Sequence, residues 1–446
     1  MLQKLNGHPS RACMRLAEAE FPAPFAHTLE YSSPARGTWN IVHTGMQLPE
    51  SHQIYICASG CLRGVVLTAA EMGAMDRFSS VEVKEKDLVD VDNEAFLIDG
   101  IRDIIDRLPQ KPRAILVFPA CVHHFLGVNF DYVYSNLRRR YPDIDFIPCM
   151  MDPIRQTRSI TPEQRERREI YRQLRPQAHE EKVCNILGSN LPTDPESDLM
   201  RLLTDNGWTV RDMTTCSTYD EFLAMAKGQF NIWYNPFSGP AAGDCEKRLQ
   251  QDSLHLPQLW GYDEITENLH RLADRIGVPR PDWRLRIAEC ELALDALHAL
   301  IGDTPIAIDL SFVFHPFSLA RLLLEHGFHV TQIFADAVFP EDEADFRWTK
   351  EHDGDIELWA TKNADLRLMD RHAASGKTGQ KLLALGQKAA YFNDTPYFVN
   401  FVEGGGLFAF EGIIKLAHLM SEAFLIPKDT RSLVLQKGWG GPCCLC

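Results

Sequence analysis

The chain runs to 446 residues, 45% of them hydrophobic, which supplies several buried cores and, at about 150 residues per domain, suggests three domains. A formal net charge of −15 argues against nucleic acid as a main partner, and no run of about 18 apolar residues is present to cross a membrane. The N-terminal MLQKLNGHPSRACMRL lacks the apolar centre of a signal peptide, so a cytoplasmic chain is expected, where twelve cysteines do not suit a disulfide framework.

Residues 1–50 show little periodicity and read as an irregular N-terminal arm with short helices. A rhythm then begins. QIYICA (53–58) predicts a strand, LRGVVLTAAEMGAM (62–75) a helix, VEVKEKD (81–87) a strand and NEAFLIDGIRDIIDRL (93–108) an amphipathic helix. RAILVFPA (113–120) and DIDFIPCM (143–150) are further strands, with the helical FDYVYSNLRRRY (130–141) between them. The Arg-rich TPEQRERREIYRQLRP (161–176) mixes acids and bases, which predicts a solvated helix face.

The rhythm restarts at strand KVCNILGS (182–189), followed by helix PESDLMRLLTDNG, strand WTVRDMTT, helix YDEFLAMAKGQ and strand FNIWYNPF (230–237). A helical stretch over 280–301 reads as a connector. The third series opens at PIAIDLSFVF (305–314) and continues through helix FSLARLLLEHG and strands HVTQIFA, DIELWAT and KAAYFN to a closing helix, LFAFEGIIKLAHLMSEAF (407–424). Strands alternating with helices indicate parallel sheets. The expected organisation is an N-terminal arm (1–50), α/β domains over 51–180, 181–301 with its connector, and 302–425, and a Cys-rich tail (426–446).

Cys61 and Cys121 each sit where a predicted strand ends and a helix begins, in IYICASGCLRGVV and AILVFPACVHHFLG. Both sulfurs should project from the carboxyl edge of one parallel sheet, the edge where open α/β sheets bind ligands. Two thiols there suggest a shared metal centre more than a disulfide. Thiolates are soft ligands for iron–sulfur clusters or zinc, and a four-iron cluster takes about four of them. Cys57 forms C-x3-C with Cys61, a weak spacing, and strand alternation also allows Cys57 to point into the core. Cys13 lies in a polar arm that could fold over a cluster and donate a ligand. Cys149, Cys184, Cys216, Cys245 and Cys290 read as core packing.

His123 and His124 follow Cys121 directly; either could ligate or donate a proton, although such histidines more often satisfy a local carbonyl. Gly404, Gly405 and Gly406 precede the last helix and could admit an anionic ligand to its N-terminus. The tail GWGGPCCLC carries Cys443, Cys444 and Cys446, which either bind metal, transfer sulfur or do nothing catalytic. No G-x-G-x-x-G follows a first strand, and ASGKTGQ (374–380) lacks the upstream glycine and strand of a phosphate loop, so nucleotide binding by this chain is not expected.

With these residues in place, the chain resembles the component 1 family of nitrogenase and nitrogenase-like oxidoreductases over roughly 30–425. The likeness rests on SPARGTWNIVHTGM, SGCLRGVV, FPACVHHFLG and GGGLFAFEGIIKLAHLM. The resemblance implies three Rossmann-like parallel-sheet domains. It also implies pairing with a homologous subunit as a homodimer or heterodimer, doubled in some members into a tetramer, and an interface iron–sulfur cluster fed by an ATP-dependent iron protein. A small-molecule substrate or second cofactor is implied between the domains. Cys61 and Cys121 match two of the family's cluster cysteines, and Gly60 and Arg63 flank the first of them in the motif. The third cysteine is missing from the upstream EYSSPARGTW, which leaves Cys13, Cys57 or the partner subunit to complete the set and favours [4Fe–4S] over an eight-iron cluster. Asn235 and Phe408 stand where the molybdenum–iron cofactor's Cys and His are placed, so that cofactor is not expected.

The expected protein is therefore a subunit of a two-component reductase of another substrate, with His123, His124 and His43 as proton-relay candidates. The alternatives are a metallocluster-assembly scaffold and a non-catalytic partner half.

Overall fold

The computed structural model describes residues 11–26, 40–88, 92–152, 160–369 and 381–429. The tail cysteines, the ASGKTGQ stretch and the whole of EYSSPARGTW lie outside them. In chain order the first elements are β1 (Cys13–Arg15), α1 (Ile41–Met46), β2 (Ser51–Cys57), α2 (Ser59–Glu71), β3 (Phe78–Glu82), α3 (Asn93–Arg107), β4 (Ala114–Pro119), α4 (Cys121–Phe125), α5 (Phe130–Arg140), β5 (Asp145–Pro148) and α6 (Pro162–Tyr171). Then follow β6 (Val183–Ile186), α7 (Asp198–Thr204), β7 (Thr209–Asp212), α8 (Tyr219–Leu223), β8 (Phe230–Trp233), α9 (Gly239–Leu249), β9 (Asp252–His255), α10 (Tyr262–Ile276) and α11 (Arg284–Ile301). The last are β10 (Ile306–Asp309), α12 (Pro316–Glu325), β11 (Val330–Phe334), α13 (Glu343–His352), β12 (Glu357–Trp359), β13 (Leu383–Leu385), α14 (Gln387–Asn393), β14 (Phe398–Val399) and α15 (Ala409–Leu425).

The strands form three sheets: β3-β2-β4-β5, β7-β6-β8-β9 and β1-β12-β11-β10-β13-β14. Every pairing is parallel except β1 with β12. By compactness the described residues divide into two units. One comprises 39–192 and 207–256; the other takes its residues from 1–38, 193–206 and 257–446. The first and second sheets both lie in the former unit, and the third sheet lies in the latter. Among the described residues no helix is long and apolar enough to cross a membrane.

The first sheet shows why its strands read as continuous apolar runs. Tyr55, Cys57, Leu116 and Phe118 enter one core, while Ile54, Ile56, Ile115 and Val117 enter another. A parallel sheet covered on both faces has no polar face to alternate with. Tyr55 lies flat between Phe118, with centroids 4.4 Å apart at 4°, and Phe78, 5.1 Å away. Helix α3 covers the second core through Leu97, Ile98, Ile101 and Ile105, a 3.6-residue stripe, and is capped by the Asp92 carboxylate on Ala95 N–H at 2.9 Å.

Three expectations are corrected. The arm contains a strand: β1 closes the edge of the third sheet, with Cys13 opposite Trp359. KAAYFN is helical, not extended; it forms α14, whose Ala389 N–H meets the buried Asp309 carboxylate at 2.9 Å. All seven of its residues are buried, so no polar face betrayed its period. The Arg-rich segment contains helix α6, and that helix is not merely a solvated face: Glu166, Arg167 and Tyr171 are fully buried, and Glu169 is nearly so.

Candidate metal-binding edge

Strands β2 and β4 are neighbours, with Ile56 opposite Pro119. The chain leaves β2 toward β3 on one side and reaches β5 from β4 on the other, so their carboxyl ends flank the sheet's topological switch point. Beyond β2, Ala58 caps α2, and Cys61 is the third residue of that helix. Beyond β4, Ala120 donates its N–H to Ile56 O at 3.0 Å and caps α4, whose first residue is Cys121. Two cysteines sixty positions apart in sequence are thereby brought to adjoining strand ends. Cys61 is exposed and Cys121 half-buried.

Cys57 ends β2 inside the core, fully buried, and its thiol is pushed up to about 12 by burial and by the nearby Cys61. Cys13 is half-buried in β1, its thiol also pushed up to about 12 by burial and then by Glu357, and it belongs to the other compact unit. Cys149, Cys184, Cys245 and Cys290 are buried and Cys216 is half-buried.

The histidines are held locally. His123 is 1% exposed with Nδ1 3.2 Å from Ala120 O, and burial, reinforced by His124, lowers its pKa. His124 stands over Phe130, its Nδ1 3.9 Å from Asp152. His43 is buried in α1, where its Nδ1 accepts the Asn40 N–H at 3.3 Å.

Gly60 and Arg63 lie on the exposed side of α2, and a side chain at Gly60 would meet nothing within 4 Å. Gly404, Gly405 and Gly406 all have positive φ, and a Cβ on Gly404 would lie 2.4 Å from Gln258 Oε1. Two of their amides are spent inside the protein, Gly404 on Phe312 O at 2.6 Å and Gly405 on Val402 O at 3.0 Å. At the start of α15 the carboxylate of Asp198 already accepts Glu411 N–H at 2.8 Å and is bridged by Arg286. Asn235, 1% exposed, accepts Phe237 N–H, and Phe408 is buried as the cap of α15.

Among the described residues no three His, Cys, Asp or Glu side chains gather as a metal site. Cys61 and Cys121 are soft donors on an open edge, with Leu67, Phe125 and Leu126 exposed on α2, α4 and the α4 cap. They fit part of an iron–sulfur ligand set and not the whole of one.

Sequence reasoning missed a polar cluster in the same unit. The guanidinium of Arg167 donates to Gly188 O at 2.7 Å, Glu163 Oε1 at 2.8 Å, Thr44 Oγ1 at 3.3 Å and Asn190 Oδ1, tying α6 to α1 and to the carboxyl end of β6. Nothing in the alternation of RERREIY marks Glu166 and Arg167 as buried.

The sequence model of the nitrogenase component 1 type oxidoreductases matches residues 43–420. The chain belongs to that family. The solved structure of nitrogenase Cp1 at pH 6.5 superposes with a TM-score of 0.67 at 13% identity, covering 90% of this chain and 95% of the other. Nitrogenase Cp1 at pH 5 gives 0.59 at 14% identity, covering 93% and 94%. No curated protein sequence matches the chain. These likenesses give the same fold of several parallel-sheet α/β domains.

Proposed function

We propose that the chain is a subunit of a nitrogenase-like two-component reductase. Cys61 and Cys121 would hold two positions of a [4Fe–4S] cluster, which supplies one-electron transfer. A homologous subunit, identical or paralogous, would cover the apolar surface around this edge and bring the remaining ligands; Cys57 and Cys13 are the candidates from this chain. Electrons would come from an ATP-hydrolysing iron protein and pass to a small-molecule substrate, with His43, His123 and His124 as proton-relay candidates. Gly60 and Arg63 beside Cys61, and Gly404–Gly406 before α15, are proposed cofactor contacts. The molybdenum–iron cofactor has no place in this reading.

The observation that carries it is the convergence of Cys61 and Cys121 on the switch point of one sheet, in a member of this family. Anaerobic purification with iron and sulfide analysis and EPR tests it. Cys61→Ala and Cys121→Ala should each lose most of the bound iron and the cluster signal. Full iron in both variants overturns the assignment.

A further inference from the structure

The first compact unit carries a basic cleft apart from the cysteine edge. It lies along β5, the edge strand of the first sheet, and is walled by the end of α5 and by the end of α6 with the residues just past it. Its volume is about 540 Å³, and Arg138, Arg172 and Arg175 line it together with Asp145, Glu169 and Gln173. Small-molecule pockets span roughly 300–1,000 Å³. The strand edge beside it is closed to a further strand, since Pro148 has no N–H to offer and Phe146 O is taken by Arg138 Nη2 at 3.0 Å.

Each arginine keeps donors in reserve. Arg138 meets no carboxylate within 4 Å among the described residues, so its Nε and Nη1 are unspent. Arg172 uses Nε on Asp244 at 3.1 Å and Nη1 on Glu169 at 3.3 Å, which leaves Nη2. Arg175 is 76% exposed, and Asp145 Oδ1, at 3.9 Å, is beyond hydrogen-bond reach. The carboxylates are better served. Glu169 also takes Arg168 at 2.9 Å, Asp145 accepts the Tyr219 hydroxyl at 2.8 Å, and Asp244 pairs with Arg248 at 2.6 Å. Five guanidiniums thus meet three carboxylates, in a chain whose formal net charge is −15.

Basic residues near helix ends commonly serve only to offset the dipole. Here Arg248 does that for α6, donating to Tyr171 O at 3.1 Å and Leu174 O at 3.0 Å. Arg138 reaches across to β5 instead of the carbonyls of α5, and Arg175 lies beyond the end of α6.

We propose that this cleft binds a small phosphorylated molecule, whose phosphate takes the unspent N–H groups of Arg138, Arg172 and Arg175. The excess of two positive charges matches a phosphate dianion, and guanidinium forks suit its oxygens. A concave site of this volume fits a small molecule, whereas an acidic protein needs a broad face. The site is independent of the iron–sulfur reading.

Calorimetric titration of the full chain with inorganic phosphate, at an ionic strength held constant with sodium chloride, tests it. One phosphate should bind per chain. Arg138→Ala and Arg175→Ala should each weaken binding about tenfold or more, since each removes a charge-assisted hydrogen bond. Arg107→Ala, on α3 and paired with Asp103, should bind as the wild type does. Arg175 makes no hydrogen bond among the described residues, so its variant keeps the fold and decides the matter alone if Arg138→Ala unfolds. Absence of saturable phosphate binding overturns the proposal. So does binding that Arg175→Ala leaves unchanged, or that Arg107→Ala weakens equally. Tighter binding of polyglutamate than of phosphate assigns the cleft to an acidic protein surface and overturns it as well.

Discussion

Replacing Arg167 by alanine should loosen one side of the first compact unit and leave the other unit untouched. Arg167 heads the fully buried side chains by size, and its guanidinium links α6 to α1 and to the turn after β6. Breaking a buried ion pair from one side costs about 3–5 kcal/mol, because the remaining partner is stranded. Here the lower end applies. Glu163 is 16% exposed and can rehydrate, and Gly188 O keeps the Ser238 hydroxyl at 3.1 Å. Thr44 Oγ1 and Asn190 Oδ1 lose the Arg167 donor in the interior. A loss of about 3 kcal/mol follows, or roughly 150-fold in a local opening equilibrium at 1.4 kcal/mol per decade. Hydrogen exchange read by mass spectrometry measures it directly. Amides of 41–46 and 183–190 should exchange faster by that factor, and those of 306–334 should not change. Arg167→Lys should fall between, since an ammonium cannot span four acceptors as the planar fork does. Acceleration below tenfold, or an equal effect in both units, would refute the reasoning.

Glu166 also makes stability depend on pH. Its folded-state pKa is raised by burial, so its contribution is fully present below the unfolded carboxyl's pKa of about 4.3 and is lost as pH rises through the folded value. Unfolding free energies from urea titrations should fall with rising pH in the wild type relative to Glu166→Gln, by up to about 1.4 kcal/mol per pH unit; parallel profiles would show that the carboxyl does not hold its proton. Gly45→Ala should destabilise by about 1–3 kcal/mol in the same assay, because the new methyl overlaps Gln53 Nε2, Glu166 Oε1 and Leu116 Cδ2 at once. A neutral outcome would mean that α1 shifts freely away from β2.

Where local pattern and burial agree, the sequence was readable. RAILVFPA and NEAFLIDGIRDIIDRL became β4 and α3 because one is apolar throughout and the other has a clean helical stripe. The β2–α2 and β4–α4 junctions likewise place Cys61 and Cys121, since a right-handed β-α-β path leaves both at the same edge. KAAYFN failed because its helix is buried on all sides and is started by the distant Asp309 carboxylate. Cys13 failed as an arm residue because pairing with β12 is a contact across more than 340 positions, invisible to any local window.

The sequence by itself determined the alternation of strands and helices, the parallel sheets and the two thiols at one edge, all of which follow from periodicity and chain direction. Only the tertiary structure decided that α6 turns Glu166 and Arg167 inward and that Glu166 lies beside Gly45 in the interior. The physical reason is the same in each case. Periodicity records which face of an element is apolar, whereas the burial of a charge depends on which partners the rest of the chain places against it.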